Sequence, residues 1–266
     1  MKFDILEEFK DYVKDNVKSA ETARKYYGAV KKLLDGIQFN NLQEIEREVL
    51  EQRLSLITGK NSFSAAKCGL KLLKEFDHNL DIPDESFFRA TSAHKKNHRK
   101  NGKHEINVSR IERTVNQISD KKLMLAYRLA LISGLRVSEL EALTPKDISL
   151  DNRKITVTVQ HGKGDKQRIV NCMEDTYLYD KLSEYMKTLN AEQKMFYAEE
   201  TMRKNAWELG LECHDFRRIY AFSHKKFLKK EEKLSNYQAN KIIQSNLGHA
   251  RYKTTKRYLY GKKFIE

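Results

Sequence analysis

The chain has 266 residues, enough for two domains with apolar cores of their own, and 51 Lys and Arg against 37 Asp and Glu leave it at +14. That charge makes a polyanion the leading partner. Cys68, Cys172 and Cys213 are scattered and form no CxxC pair, so a disulfide framework is excluded and a reducing cytosol fits.

No membrane span is expected, because the longest apolar run, 123–132, contains Arg128 and is too short to cross a bilayer. No secretory leader is expected either: Asp4, Glu7 and Glu8 stand where an apolar run would be needed. The basic charge is uneven. Residues 1–88 carry 14 Lys and Arg against 16 Asp and Glu, residues 89–105 carry 6 against 1, and residues 106–266 carry 31 against 20.

In chain order, 2–16 and 19–35 read as amphipathic helices. Phe3, Leu6, Phe9, Tyr12 and Val13 repeat at three and four in the first; Ala23, Tyr26, Tyr27, Val30, Leu33 and Leu34 do so in the second. Ser19 is a suitable cap. Further helices are expected over 42–57 and 62–76, separated by Gly59 and Asn61. The result is a four-helix unit over 1–88 whose Lys18, Arg24, Lys25, Lys31, Lys67 and Lys71 form either a basic face or an ordinary solvated surface. Pro83 closes it. Residues 89–105 then read as a flexible basic linker in which Lys95, Lys96, Arg99, Lys100 and Lys103 lie along phosphates through charge alone. His94, His98 and His104 fall here too, but with no fourth ligand or fixed frame for zinc they read as a solvated loop.

From 106 the helices lengthen. Residues 108–118 are amphipathic, and 121–133 are apolar on most faces, as a core helix should be. Gly134 ends it, and Arg136 starts the next helix, which stops near Pro145. Ile155, Val157 and Val159, then Ile169 and Val170, mark strands over 154–160 and 166–171, joined at Gly162-Lys163-Gly164; a third strand follows if 147–150 pairs as well. Helices resume over 174–189, 191–209 and 215–228, and 229–236 is a charged connection. Ala239, Ile242, Ile243 and Leu247 define a helix that Gly248 ends by entering the left-handed region. Thr254 is read as the cap of a last short helix carrying Tyr258. The fold class is therefore mainly α with a small antiparallel β-sheet, an α+β arrangement, with the second domain spanning 106–266.

Several of these segments carry residues suited to phosphate chemistry. Gly134-Leu135-Arg136-Val137-Ser138-Glu139-Leu140 sets Arg136 and Glu139 three apart, and Cys213-His214-Asp215-Phe216-Arg217 sets His214 and Arg217 three apart on one helix face. Breaking a phosphodiester puts negative charge on equatorial oxygens and on a leaving alkoxide, and fixed cations aimed there provide most of the acceleration. Arg136 and Arg217, from separate segments, suit a two-sided clamp because a guanidinium fork meets two oxygens at once. Taken alone, Arg136 with Glu139 reads as a salt bridge; Glu139 can also serve to hold the guanidinium. Lys163 at a hairpin tip has a proton to give a leaving oxygen, with Lys166 its rival. Lys166 and Arg168 on the same hairpin read as phosphate contacts. His214 and His249 can donate to phosphate oxygens or take a phenol proton. Tyr258 and Tyr260 compete as nucleophile, with Tyr252 a weaker third.

Gly-Leu-Arg-x-x-Glu-Leu, Gly-Lys-Gly, His-x-x-Arg, Leu-Gly-His and a tyrosine nine residues beyond that histidine, in this order, resemble the tyrosine recombinases of the phage-integrase family. The resemblance is strong over 135–260 and only in outline towards the N-terminus. It implies a catalytic domain preceded by a helical core-binding domain that grips duplex DNA. It selects Tyr258 as the nucleophile, which forms a 3′-phosphotyrosyl link. Arg136, His214, Arg217 and His249 then stabilise the pentavalent state and Lys163 protonates the leaving oxygen. It implies strand exchange through a Holliday junction, no metal, ATP or other cofactor, double-stranded DNA with specific sites as partner, a homotetramer on DNA and a monomer off it, and a place in the cytoplasm on the nucleoid, often in the service of a mobile element. Because residue 1 falls almost directly in the first helix, a member without a separate arm-binding domain is expected. A silent DNA-binding protein of the same fold and a type IB topoisomerase-like relaxer are the alternatives.

Overall fold

A computed structural model describes residues 2–96, 105–160, 162 and 167–265. The chain divides into two compact units, Met1–Lys100 and Asn101–Glu266. No helix among the described residues is long and apolar enough to cross a membrane.

The first unit holds α1 (Lys2–Asn16), α2 (Ala20–Leu33), α3 (Arg47–Leu56), α4 (Lys60–Phe76) and α5 (Glu85–His94). Ser19 caps α2, its side chain accepting from the Thr22 amide. Apolar residues three and four apart turn one stripe of each helix inward, and Phe9, Val30, Leu50, Leu54, Phe63 and Leu70 are fully buried. The helix expected over 42–57 starts late. The Asn40 and Glu44 amides bond the side chains of Glu44 and Asn41 at 2.8 and 3.2 Å, closing a local turn over Leu42–Glu44 that competes with a continuous helix.

The basic linker expected from 89 also begins later than its composition suggests. Asp84 accepts from the Phe87 amide at 2.8 Å and opens α5, and Phe88 is buried with its ring 6.4 Å from that of Phe63. The chain then returns to the α3–α4 corner. The Lys96 amide donates to Thr58 O at 3.1 Å, the Lys60 amide donates to Lys96 O at 3.0 Å, and Lys95 Nζ donates to Ser55 O at 2.7 Å. Two aromatic anchors thus outweigh the charged composition around them. Arg99, Lys100 and Lys103 lie outside the described residues.

The second unit runs β1 (Ile106–Asn107), α6 (Val108–Asn116), α7 (Lys121–Ser133), α8 (Val137–Ala142), β2 (Ile148–Asp151), β3 (Lys154–Val159), β4 (Arg168–Asn171), α9 (Thr176–Met186), α10 (Glu199–Glu208), α11 (Cys213–Lys230), α12 (Asn236–Asn246), α13 (Tyr252–Tyr260) and β5 (Phe264–Ile265). Helix α7 is the buried spine: Leu125, Ala126, Tyr127, Leu129 and Ala130 are all inside. The sheet β2–β3–β4 is antiparallel, with Ile148 opposite Val157 and Val157 opposite Val170. The helix expected over 191–209 exists only as α10. Before it, Met195 and Phe196 are buried while the Met195 amide donates to Leu143 O at 2.9 Å and its carbonyl accepts from the Tyr185 hydroxyl at 2.5 Å. A backbone tied to other elements cannot also close i→i−4 bonds.

Phe264 and Ile265 are the apolar residues of the tail after α13. Here they pair in parallel with Ile106 and Asn107 of the same chain, and Phe264 stacks on Phe222 of α11 at 4.3 Å.

Candidate active site

Two helix ends prepare the site. Gly134 closes α7 in the left-handed region at φ +65°, where a Cβ would come within 2.4 Å of the Tyr220 ring. Gly248 closes α12 at φ +61°; its amide donates to Ser245 O at 2.8 Å and that of His249 to Gln244 O at 3.0 Å, the paired bonds of a Schellman motif. The sharp turn brings His249 out on a fixed backbone.

Helix α11 sends Arg217 into the gap between those ends. Its guanidinium is fully buried and donates through Nη1 to Gly134 O and through Nη2 to Leu247 O, the last carbonyls of α7 and α12. A cation at two helix C-termini is electrostatically well placed. Burial first, and then the neighbouring Arg136, bring its pKa down to about 10, with Glu139 pulling the other way, so it stays charged at neutral pH. Its Nε is buried without a hydrogen-bond partner. An orphaned buried donor costs about 1–3 kcal/mol, which an anion bound there would recover.

Glu139 is the hub. It is buried and accepts from Arg136 Nη1 at 2.6 Å and from the Arg136 amide at 2.7 Å, closing the first turn of α8. Arg168 reaches it with a two-pronged bond, Nη1 at 2.9 Å and Nη2 at 2.7 Å. Burial is the largest influence and would raise the Glu139 pKa; Arg168, the Arg136 amide and Arg217 together overcome it and hold the carboxyl at about 2. Three guanidiniums, Arg136, Arg168 and Arg217, thus share one carboxylate, leaving a net positive site. Arg168, expected as a phosphate contact of the hairpin, is instead turned inward, with Nε donating to Asn246 O at 2.9 Å. The signal was in the sequence: strand alternation puts Arg168 on the face of Val170, which is buried, and opposite to Ile169, which is 64% exposed.

His249 is buried, with Nδ1 3.0 Å from Thr255 Oγ1 and Nε2 3.3 Å from Arg217 Nη2. A guanidinium only donates, so Nε2 carries the lone pair and Nδ1 the proton. Burial first, and then Arg217, Arg136 and Arg168, push its pKa down to about 3, so the ring is neutral. Thr255 was missed. The cap was expected at Thr254, but Arg251 supplies the extended backbone that starts α13, and this turns Thr255 inward.

Tyr258 lies one turn further on, its ring 5.0 Å from His249 and 6.3 Å edge-on from His214. The guanidinium carbons of Arg217 and Arg218 are 5.8 and 5.9 Å from its ring centre. His214 keeps part of its surface in solvent, yet desolvation first, and then Arg218 and Arg217, hold its pKa below the ordinary value. Tyr260, two residues on and so about 200° around the helix, is 57% exposed and bonded to Lys225, which lowers its pKa. It faces away from the arginines. Tyr252 accepts from Asn240 at 2.9 Å, also outside the cluster. Lys163 and Lys166 lie outside the described residues. So Arg136, Glu139, Arg217, His214, His249 and Tyr258, drawn from four separate segments, meet in one place: two guanidiniums, a carboxylate, two imidazoles and a phenol.

The profile of the phage integrase family matches residues 104–263, and the chain belongs to that family. Tyrosine recombinase XerA of Saccharolobus solfataricus is 31% identical over 159 residues, which cover 56% of this chain and 50% of that protein, so the match spans half of the relative's length. Solved structures share the fold. A lambda integrase dimer bound to a COC′ core site superposes with a TM-score of 0.68 at 16% identity, over 99% of this chain and 98% of the other. XerH site-specific recombinase bound to palindromic difH substrate gives 0.57 at 20% identity, over 90% and 74%.

Proposed function

We propose that this protein is a site-specific DNA recombinase that cuts and rejoins strands through a 3′-phosphotyrosyl intermediate. One observation carries the reading: Tyr258 sits between His214 and His249 and beside Arg217, whose buried Nε has no partner. The Tyr258 hydroxyl attacks the scissile phosphorus while the bond to O5′ breaks. The phenol proton passes to one of the neutral imidazoles flanking the ring. Arg136 and Arg217 take the charge on the non-bridging oxygens. Lys163, assigned from the Gly-Lys-Gly motif, gives its proton to O5′, leaving a 5′-hydroxyl. A 5′-hydroxyl from a second duplex returns that proton, attacks the phosphotyrosine and restores the phenol. The energy of the broken ester is kept in the new one, so the cycle needs no external energy. Two rounds between two sites pass through a Holliday junction, which calls for four protomers on paired duplexes with specific sequences. The first unit and the 97–104 segment supply the remaining grip on DNA.

The test uses nicked duplexes cut from DNA flanking the gene. The expected result is a protein–DNA adduct stable on a denaturing gel, a free 5′-hydroxyl, and joined products when two duplexes of different length are mixed. Rejoining of the original strand alone would identify a relaxer. Tight binding without adduct would identify a silent binder and overturn the proposal.

A further inference from the structure

We propose, on the basis of the recombinase reading above, that Arg168 is a positioning residue for the reaction: it fixes Glu139, and through it Arg136, against the turn that carries His249. Three segments far apart in sequence meet on this one guanidinium. From β4 it grips the Glu139 carboxylate of α8 with both Nη atoms, and its Nε holds Asn246 O at the end of α12. The turn after α12 lies on it: a Cβ at Gly248 would come within 3.2 Å of its Cδ, Nε and Nη1. Gly248 therefore serves two purposes, the left-handed turn and the close approach to Arg168.

Glu139 has two oxygens and four donors to satisfy: Arg136 N, Arg136 Nη1 and both Nη atoms of Arg168. Arg168 is the partner that sets the plane of the carboxylate, because only it bonds both oxygens through a rigid fork. That plane fixes the direction of Arg136 Nη1. With Arg168 gone, Glu139 would be free to turn towards Arg217, whose Nη1 is already 3.9 Å from its Oε2, and Arg136 would lose its aim. Arg168 touches the reacting phosphate only through these others. It also starts β4, the strand that follows the Gly-Lys-Gly motif in the chain.

The test compares wild type, Arg136→Ala, Arg168→Lys and Arg168→Gln as full-length proteins, with thermal melting and DNA binding as folding controls. Each is given a nicked duplex with an ordinary scissile phosphate and one with a neutral methylphosphonate there. The neutral group carries one charge fewer and asks less of the guanidinium pair. On phosphate, both Arg168 variants should form adduct about 100-fold more slowly than wild type, the scale of loss from slight misplacement. On methylphosphonate, most of that loss should be recovered in Arg168→Gln, as in Arg136→Ala. Arg168→Lys covers the case in which Arg168→Gln does not fold: it keeps the charge and loses the fork, so a wild-type rate for it overturns the proposal. So does Arg168→Gln that folds, binds DNA and is equally slow on both substrates, which would mean a structural role only. Wild type that forms no adduct on either duplex would remove the recombinase reading and this inference together.

Discussion

The two units place their charges in opposite ways. In the first, charges stay at the surface and cancel locally: Lys67 and Lys71 both hold Glu85, and Arg47 bonds Glu51 and Asp84. Its core is apolar. In the second, Arg217, Glu139, Asp215 and His249 are buried, and the guanidiniums outnumber the carboxylate they share. Surface pairs contribute little to stability and leave nothing for a ligand. Buried, under-neutralised cations cost stability and are retained where an anion is to be met. The second arrangement is suited to meeting an anion, and the first is that of a scaffold with its surface charges paired.

The sharpest way to break this contrast is Arg217→Lys. A lysine keeps the charge but cannot bond the two helix ends and the phosphate at once, so adduct formation should fall at least about 100-fold, the usual scale for losing one fixed donor. Single-turnover trapping measures it, and a wild-type rate would mean that the guanidinium is structural only.

A smaller effect follows from pH. His249 and His224 are buried and neutral, with pKa values pushed by burial from 6.5 down to about 3 and about 4. As pH falls below 6.5 the unfolded chain takes up these protons and the folded chain does not, so stability is full above that value and is lost progressively below it. Between pH 6.5 and 5, hydrogen exchange should quicken in α11–α13 before α2 and α4. Equal loss in both units, or greater stability on acidification, would contradict the contrast.

The least effect is expected from Lys67→Ala with Lys71→Ala. The pairs with Glu85 are half-exposed, so the melting temperature should hardly change. A large drop in a thermal melt would show that the first unit depends on its ion pairs after all.

Much of this site was legible because its chemistry fixes residue types at short spacings. Arg136 and Glu139, His214 and Arg217, and His249 after a helix-ending glycine can each be read locally. What escaped depends on long-range contacts. Arg168 looked like one more basic residue on a hairpin, and only its register with Val170 hinted that it faces inward. Residues 89–96 have a linker's composition, but Phe87 and Phe88 just upstream decide where the chain goes. Arg251, which no capping rule favours, took the cap position expected of Thr254, and this turned Thr255 inward to His249. The segment 191–198 has a helix's composition, yet the Met195 amide and carbonyl at its centre are taken by Leu143 and Tyr185.

The most direct test of the central claim is which tyrosine becomes attached to DNA. Wild type, Tyr258→Phe and Tyr260→Phe would be incubated with the same nicked duplexes, and the adducts resolved on a denaturing gel and mapped by mass spectrometry of the linked peptide. The geometry predicts an adduct on Tyr258 in wild type, its loss in Tyr258→Phe and its survival in Tyr260→Phe. An adduct that disappears only in Tyr260→Phe would contradict the account, because it would put the nucleophile beside Lys225 and away from the arginine pair.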